Sequence, residues 1–172
     1  MIKLIGIPYD DNSSFLKGCA EAPSQFRHPD IEKSSNAFGE FGIALLKDKI
    51  YEDIGDITGI DRDPAIAFEQ IKTFIRQALI PEHRLICIGG DHSVSFPIIE
   101  AYSETYDSLN VLHLDAHPDL YDQFDHNPYS HASPFARIME KNLLRSLTQV
   151  GIRTLNAHQR EQAQKFGVKI IE

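Results

Sequence analysis

Short runs of strand-favouring residues punctuate the chain at positions 2–7, 84–88, 111–114, 148–152 and 168–171. Most are nearly continuous in apolar character rather than alternating. That pattern marks strands covered on both faces, as parallel strands are. Longer amphipathic stretches lie between them. Residues 64–79 carry Ile66, Phe68, Ile71, Phe74, Ile75 and Leu79 along one helical face. Asp63 stands ready as an N-cap there, and Pro64 fits the first helical position. The spacing predicts further helices over 93–106 and 133–145, the latter with Phe135, Ile138, Met139 and Leu143 at three-to-four intervals. A polar helix is expected over 156–166, and residues 19–48 read as loops around a short helix.

Strand alternating with helix implies right-handed crossovers and an α/β architecture, an open parallel sheet with helices on both faces. Neither an internal repeat nor an interdomain linker interrupts residues 1–172, which read as one domain. The chain stops directly after its last expected strand, and the sheet therefore reads as incomplete at the C-terminal side.

At 42% hydrophobic and 24% charged residues, the composition excludes a disordered or collagen-like chain. Apolar runs fall well short of the roughly 18 residues that a membrane span requires. The N-terminal segment turns acidic too early for a signal peptide. Two cysteines, Cys19 and Cys87, make no disulfide framework, and Cys87 inside an apolar run reads as a buried free thiol. These features predict a cytoplasmic protein. Lys and Arg number 17 against 25 Asp and Glu, a net charge of −8, with no basic stripe. Nucleic acid and anionic membranes are therefore poor partners, whereas a cationic substrate or a metal suits the balance.

Candidate chemistry sits at two strand exits, where open α/β sheets bind their ligands. After 84–88 comes Gly89-Gly90-Asp91-His92-Ser93. By itself this could be a strand-to-helix turn capped by Asp91 or Ser93, with His92 incidental. After 111–114 comes Asp115-Ala116-His117-Pro118-Asp119. Residues two apart on an extended strand share a face, so Asp115, His117 and Asp119 can converge as ligands for a divalent first-row metal. A polar loop with an Asx-turn is the plainer alternative. If the two exits are neighbours, His92 joins the other three, Asp115 can bridge two ions, and such a pair acidifies a shared water. His131, just before a helix with Ser133 as its expected N-cap and Pro134 at its start, is placed for proton transfer. His113 and His126 are weaker candidates, His113 being expected to pack within its strand.

Together, GGDHS, DAHPDLYD and YSHASPFARIME resemble the ureohydrolase family of arginases and agmatinases. The wording of SHASPFARIME and QVGIR is most similar to plant-type arginases. The resemblance implies an arginase/deacetylase-like fold and a manganese-dependent enzyme. Two Mn2+ ions and a metal-bridging hydroxide would hydrolyse a small cationic guanidino substrate, arginine or agmatine, to urea and ornithine or putrescine. It implies that His92 and Asp119 ligate one ion, His117 the other, and that Asp115 bridges both. Asp91 and Ser93 would orient His92, His131 would relay a proton to the leaving amine, and the protein would be a homo-oligomer. The family's later D-x-D-x-x-D strand is not in these residues, so the chain is expected to cover the family's N-terminal part and to be inactive alone. The alternatives are a catalytically incomplete metal-binding fragment and, at greater distance, a zinc-dependent deacetylase-like hydrolase.

Overall fold

The computed structural model describes residues 1–34, 36, 38–45 and 50–172. Six strands and five α-helices run along them in order. They are β1 (Ile2–Ile7), α1 (Ala22–Ile31), β2 (Tyr51–Asp56), α2 (Pro64–Ala78), β3 (Arg84–Gly89), α3 (Ser95–Thr105), β4 (Asn110–Leu114), α4 (Pro134–Glu140), β5 (Ser146–Val150), α5 (Ala157–Phe166) and β6 (Lys169–Ile171). All strand pairs are parallel, as the continuous apolar runs require. They form two three-stranded sheets, ordered β2-β1-β3 and β4-β5-β6.

The expected α/β class is therefore present, in two ladders instead of one. Among the described residues β3 and β4 each keep one edge without a strand partner. Ile86 on β3 and Leu112 and Leu114 on β4 stay open to solvent, the last two at 64% and 71% exposure. One cluster of buried apolar side chains nevertheless joins both halves. It runs from Ile5 and Ile7 through Phe68, Ile71 and Ile75 to Phe96, Phe135, Ile138 and Leu147.

The helix signals act as their chemistry dictates. Asp63 caps α2, its carboxylate accepting from the backbone N–H of Ala65 at 2.9 Å and of Ile66 at 3.4 Å. Such a cap contributes about 1 kcal/mol. Asn156 and Gln159 close a capping box on α5, which ends at left-handed Gly167. Ser133 occupies the N-cap position of α4, but its side chain makes no capping bond.

Differences from expectation have local causes. Helix α3 begins at Ser95 because His92–Val94 first wind into a 3₁₀ turn capped by Asp91. Helix α4 stops at Glu140, where Asn142 turns left-handed and the N–H of Leu143 returns to the carbonyl of Ile138. Strand β2 was not legible: Tyr-Glu-Asp-Ile-Gly-Asp is an edge strand whose polar side chains meet solvent and an arginine. The short helix expected within 19–48 is α1; residues 35, 37 and 46–49 of that stretch lie outside the described ones. No helix among the described residues is long and apolar enough to cross a membrane.

Candidate functional site

Gly90, the residue that follows β3, has no room for a side chain. A Cβ there would lie 1.9 Å from the carbonyl oxygen of Tyr9, so only glycine lets the turn close against the segment after β1. The N–H of Asp91 then donates to that same carbonyl at 2.9 Å. Asp91 is buried, and burial pushes its carboxyl above the ordinary carboxylate range despite the donors around it. Those donors are the N–H and hydroxyl of Ser93 and the backbone N–H of Asn12. The turn on which His92 stands is thereby held from behind.

Asp115 follows β4 directly. Its Oδ1 accepts from the backbone N–H of His117 at 2.9 Å, an Asx-turn that takes the chain out of strand geometry. Asp115, His117 and Asp119 are accordingly not brought together by strand alternation, contrary to expectation. Convergence comes instead from this turn and from Asp119, which adopts a left-handed φ of 47°. Nor are the two strand exits hydrogen-bonded neighbours, since β3 and β4 belong to different sheets.

The side chains meet all the same. His92 Nδ1 lies 2.5 Å from Asp119 Oδ2 and 4.0 Å from Asp115 Oδ2. Burial alone would lower the imidazolium pKa of His92. The Asp119 hydrogen bond and the charges of Asp119, Asp115 and Asp91 outweigh that and raise it. For Asp115 burial acts upward, but the His117 N–H and nearby imidazoles hold its carboxyl below the usual range.

His117 stands apart, its side chain 61% exposed and its Nδ1 3.3 Å from Asp115 Oδ1. His131 lies on the same cavity, its Nε2 2.8 Å from the Ser14 hydroxyl. The cavity has a volume of about 510 Å³ and is walled by His92, Asp115, His117, Asp119, His131 and Ser14, with Tyr121, Phe124, Thr154 and Gln159 around them. His126 lies exposed and left-handed in the turn between Phe124 and Asn127.

Two contributors, Asn12 and Gln149, were not legible as site residues, and a third, His113, was read only as a weaker candidate expected to pack within its strand. Asn12 is buried and ties the two halves together. Its amide nitrogen donates to Ser93 Oγ and Tyr9 Oη, each at 3.2 Å, and its oxygen accepts from Asn127 at 3.2 Å. Its carbonyl also accepts from the N–H of His131 at 3.2 Å. The signal was available, because Asn12 and Ser14 follow the exit of β1 just as His92 follows that of β3. Gln149 is fully buried inside β5, and a polar residue in such a run is itself informative. His113 belongs with His92 and Asp115 to a group whose ligand atoms lie within 4.8 Å of one another.

With that geometry established, comparison with known proteins is informative. The arginase family matches residues 1–172, and the chain belongs to it. It is 43% identical to arginase 2, chloroplastic/mitochondrial, of Arabidopsis thaliana, over 98% of this chain and 51% of that protein. It is 33% identical to an N(1)-aminopropylagmatine ureohydrolase of Thermus thermophilus, over 98% of this chain and 56% of that protein. Its structure superposes on the arginase from Medicago truncatula with a TM-score of 0.88 at 39% identity, covering 98% of this chain and 55% of that one. The chain thus spans about half the length of the relatives it matches.

Proposed function

We propose that this protein contributes the metal-binding wall of a ureohydrolase, an enzyme that hydrolyses a small cationic guanidino compound to urea and an amine. The observation that carries the reading is His92 Nδ1 standing 2.5 Å from Asp119 Oδ2 and 4.0 Å from Asp115 Oδ2, in a cavity that all three residues line together with His131. One imidazole with two carboxylates suits a divalent first-row cation, with manganese favoured by the oxygen-rich set. The fit draws further support from the density of negative charge here, which is costly to assemble without a cation.

His92, Asp115 and Asp119 would hold one ion, and Asp115 and His117 would contribute to a second. When bound, the ions would supply a water acidified to attack at neutral pH and a Lewis acid for the leaving group. The remaining steps belong to side chains. With the ions bound, Asp115 and Asp119 would offset part of the positive charge that opposes a guanidinium, and Asp91 and Ser93 keep the His92 turn rigid. His131, hydrogen-bonded to Ser14, holds a proton at Nε2 or takes one there, and can deliver it to the departing amine. The names of the Arabidopsis and Thermus relatives support the guanidino class while pointing to different members of it.

A second reading, a metal-binding portion that does not turn over substrate alone, is favoured by the chain's spanning about half the length of its relatives. Cytoplasmic location and homo-oligomeric assembly complete the proposal. The test is Mn2+-dependent urea release from arginine and agmatine by the whole protein, with His131→Phe as the control. Urea from one of them, lost in the variant, is expected. No urea from any guanidino compound would overturn the reading.

A further inference from the structure

His113 looks at first like a further nitrogen donor for the cation, because its Nε2 lies 3.4 Å from Asp115 Oδ2. Its other ring nitrogen argues otherwise. The parallel register of β4 and β5 sets His113 opposite Gln149, and both are buried. Gln149 Nε2 lies 2.6 Å from the carbonyl oxygen of Pro118 and 3.1 Å from His113 Nδ1. A carbonyl can only accept, so the Gln149 amide must turn its NH2 group toward Pro118. The second hydrogen of that group then points at His113 Nδ1, which has to present a lone pair. This orientation persists although it leaves Gln149 Oε1 without a hydrogen-bond partner among the described residues.

A neutral imidazole accepting at Nδ1 carries its hydrogen on Nε2. That atom is buried, has no hydrogen-bonded partner among the described residues, and faces the carboxylate of Asp115. A protonated ring nitrogen has no lone pair to give a metal. The ring is clamped by Phe135, centroid to centroid 4.4 Å, and by His92 at 5.2 Å. Asp115 is meanwhile fixed on its other side, where Oδ1 accepts from the His117 N–H.

We propose that His113 is a positioning residue rather than a ligand: locked by Gln149 with its hydrogen on Nε2, it turns that N–H toward Asp115 Oδ2, 3.4 Å away, and its electrostatic pull aims the carboxylate at the cation. Groups that orient a ligand in this way commonly change metal affinity tenfold to a hundredfold when removed. The inference rests on the metal reading above.

Two measurements on the 172-residue chain test it. Two-bond 1H–15N correlation spectra of the metal-free protein, recorded above the titration range of imidazole, read the tautomer of His113; the expected result is hydrogen on Nε2. Calorimetric titration with Mn2+ then compares His113→Leu, His113→Gln and Gln149→Leu with the unmodified chain. Glutamine carries an N–H at the position of Nε2, so His113→Gln should bind within a few-fold of the parent. The two leucine variants should weaken binding by about tenfold to a hundredfold. Hydrogen on Nδ1, or His113→Gln binding as poorly as His113→Leu, would overturn the proposal, as would His113→Leu binding like the parent. Should the leucine variants fail to fold, the tautomer and the glutamine variant still decide. An unmodified chain that takes up no Mn2+ would overturn the metal reading itself and the role of His113 with it, while the spectrum separately judges the Gln149 lock.

Discussion

His92 Nδ1 and Asp119 Oδ2 stand 2.5 Å apart although the strands that lead to them lie in separate sheets. The contact is made by turns. One is capped by Asp91, and the other passes through the left-handed backbone of Asp119. Asparagine tolerates that conformation and keeps a polar side chain, whereas a β-branched residue strains it. Asp119→Asn should therefore keep the stability of the parent within about 1 kcal/mol, and Asp119→Val should lose about 1–2 kcal/mol from backbone strain in addition to the lost contact. Urea denaturation of the two variants measures the difference. Equal midpoints would show that the turn does not depend on this residue's conformation.

Asn12 joins the His92 turn to the His131 loop through its side-chain amide and its backbone. Removing the amide strands buried partners, so Asn12→Ala should cost about 1–3 kcal/mol. It should also speed amide hydrogen exchange at Ser93, Asn127 and His131 more than at α2. Exchange faster at α2 than at the two loops would count against Asn12 as the tie between them.

Arg27 on α1 grips Asp53 on β2 with two bonds, at 2.6 and 2.9 Å, and also contacts Asp56. The Arg27 hydrogen bond holds the Asp53 carboxyl below its usual range, against the opposing effect of burial. A carboxyl whose pKa is lower in the folded state stabilises the fold above its unfolded pKa, about 3.9. That contribution disappears as pH falls through the folded value. Arg27→Met should thus be less stable than the parent at neutral pH, and the gap should narrow as pH falls below about 4. Thermal melts of both proteins across this range test the sign; a gap that stays constant would exclude the pair as its source.

Much of this arrangement is legible in the amino-acid order because local chemistry decides it. Asp63 and Pro64 start α2 wherever that helix packs, and Gly90 before His92 answers a backbone approach that no other residue permits. His92, Asp115 and Asp119 could be singled out because costly polar groups follow apolar strands. What could not be read depends on partners distant in sequence. β2 is a strand only because β1 pairs with it, and Asn12 matters because Asp91 and Ser93 lie 79 and 81 residues further on. The separation of β3 from β4 is likewise a property of pairing, invisible in either run alone.

The central claim is that His92, Asp115 and Asp119 together hold a divalent cation. Titration of the chain with Mn2+, followed by loss of the free-ion electron paramagnetic resonance signal, tests it most directly when compared with Asp115→Ala and Asp119→Asn. Saturable binding by the parent, weakened by at least about tenfold in both variants, is the predicted result. Binding of equal strength in all three proteins, or none in the parent, would contradict it.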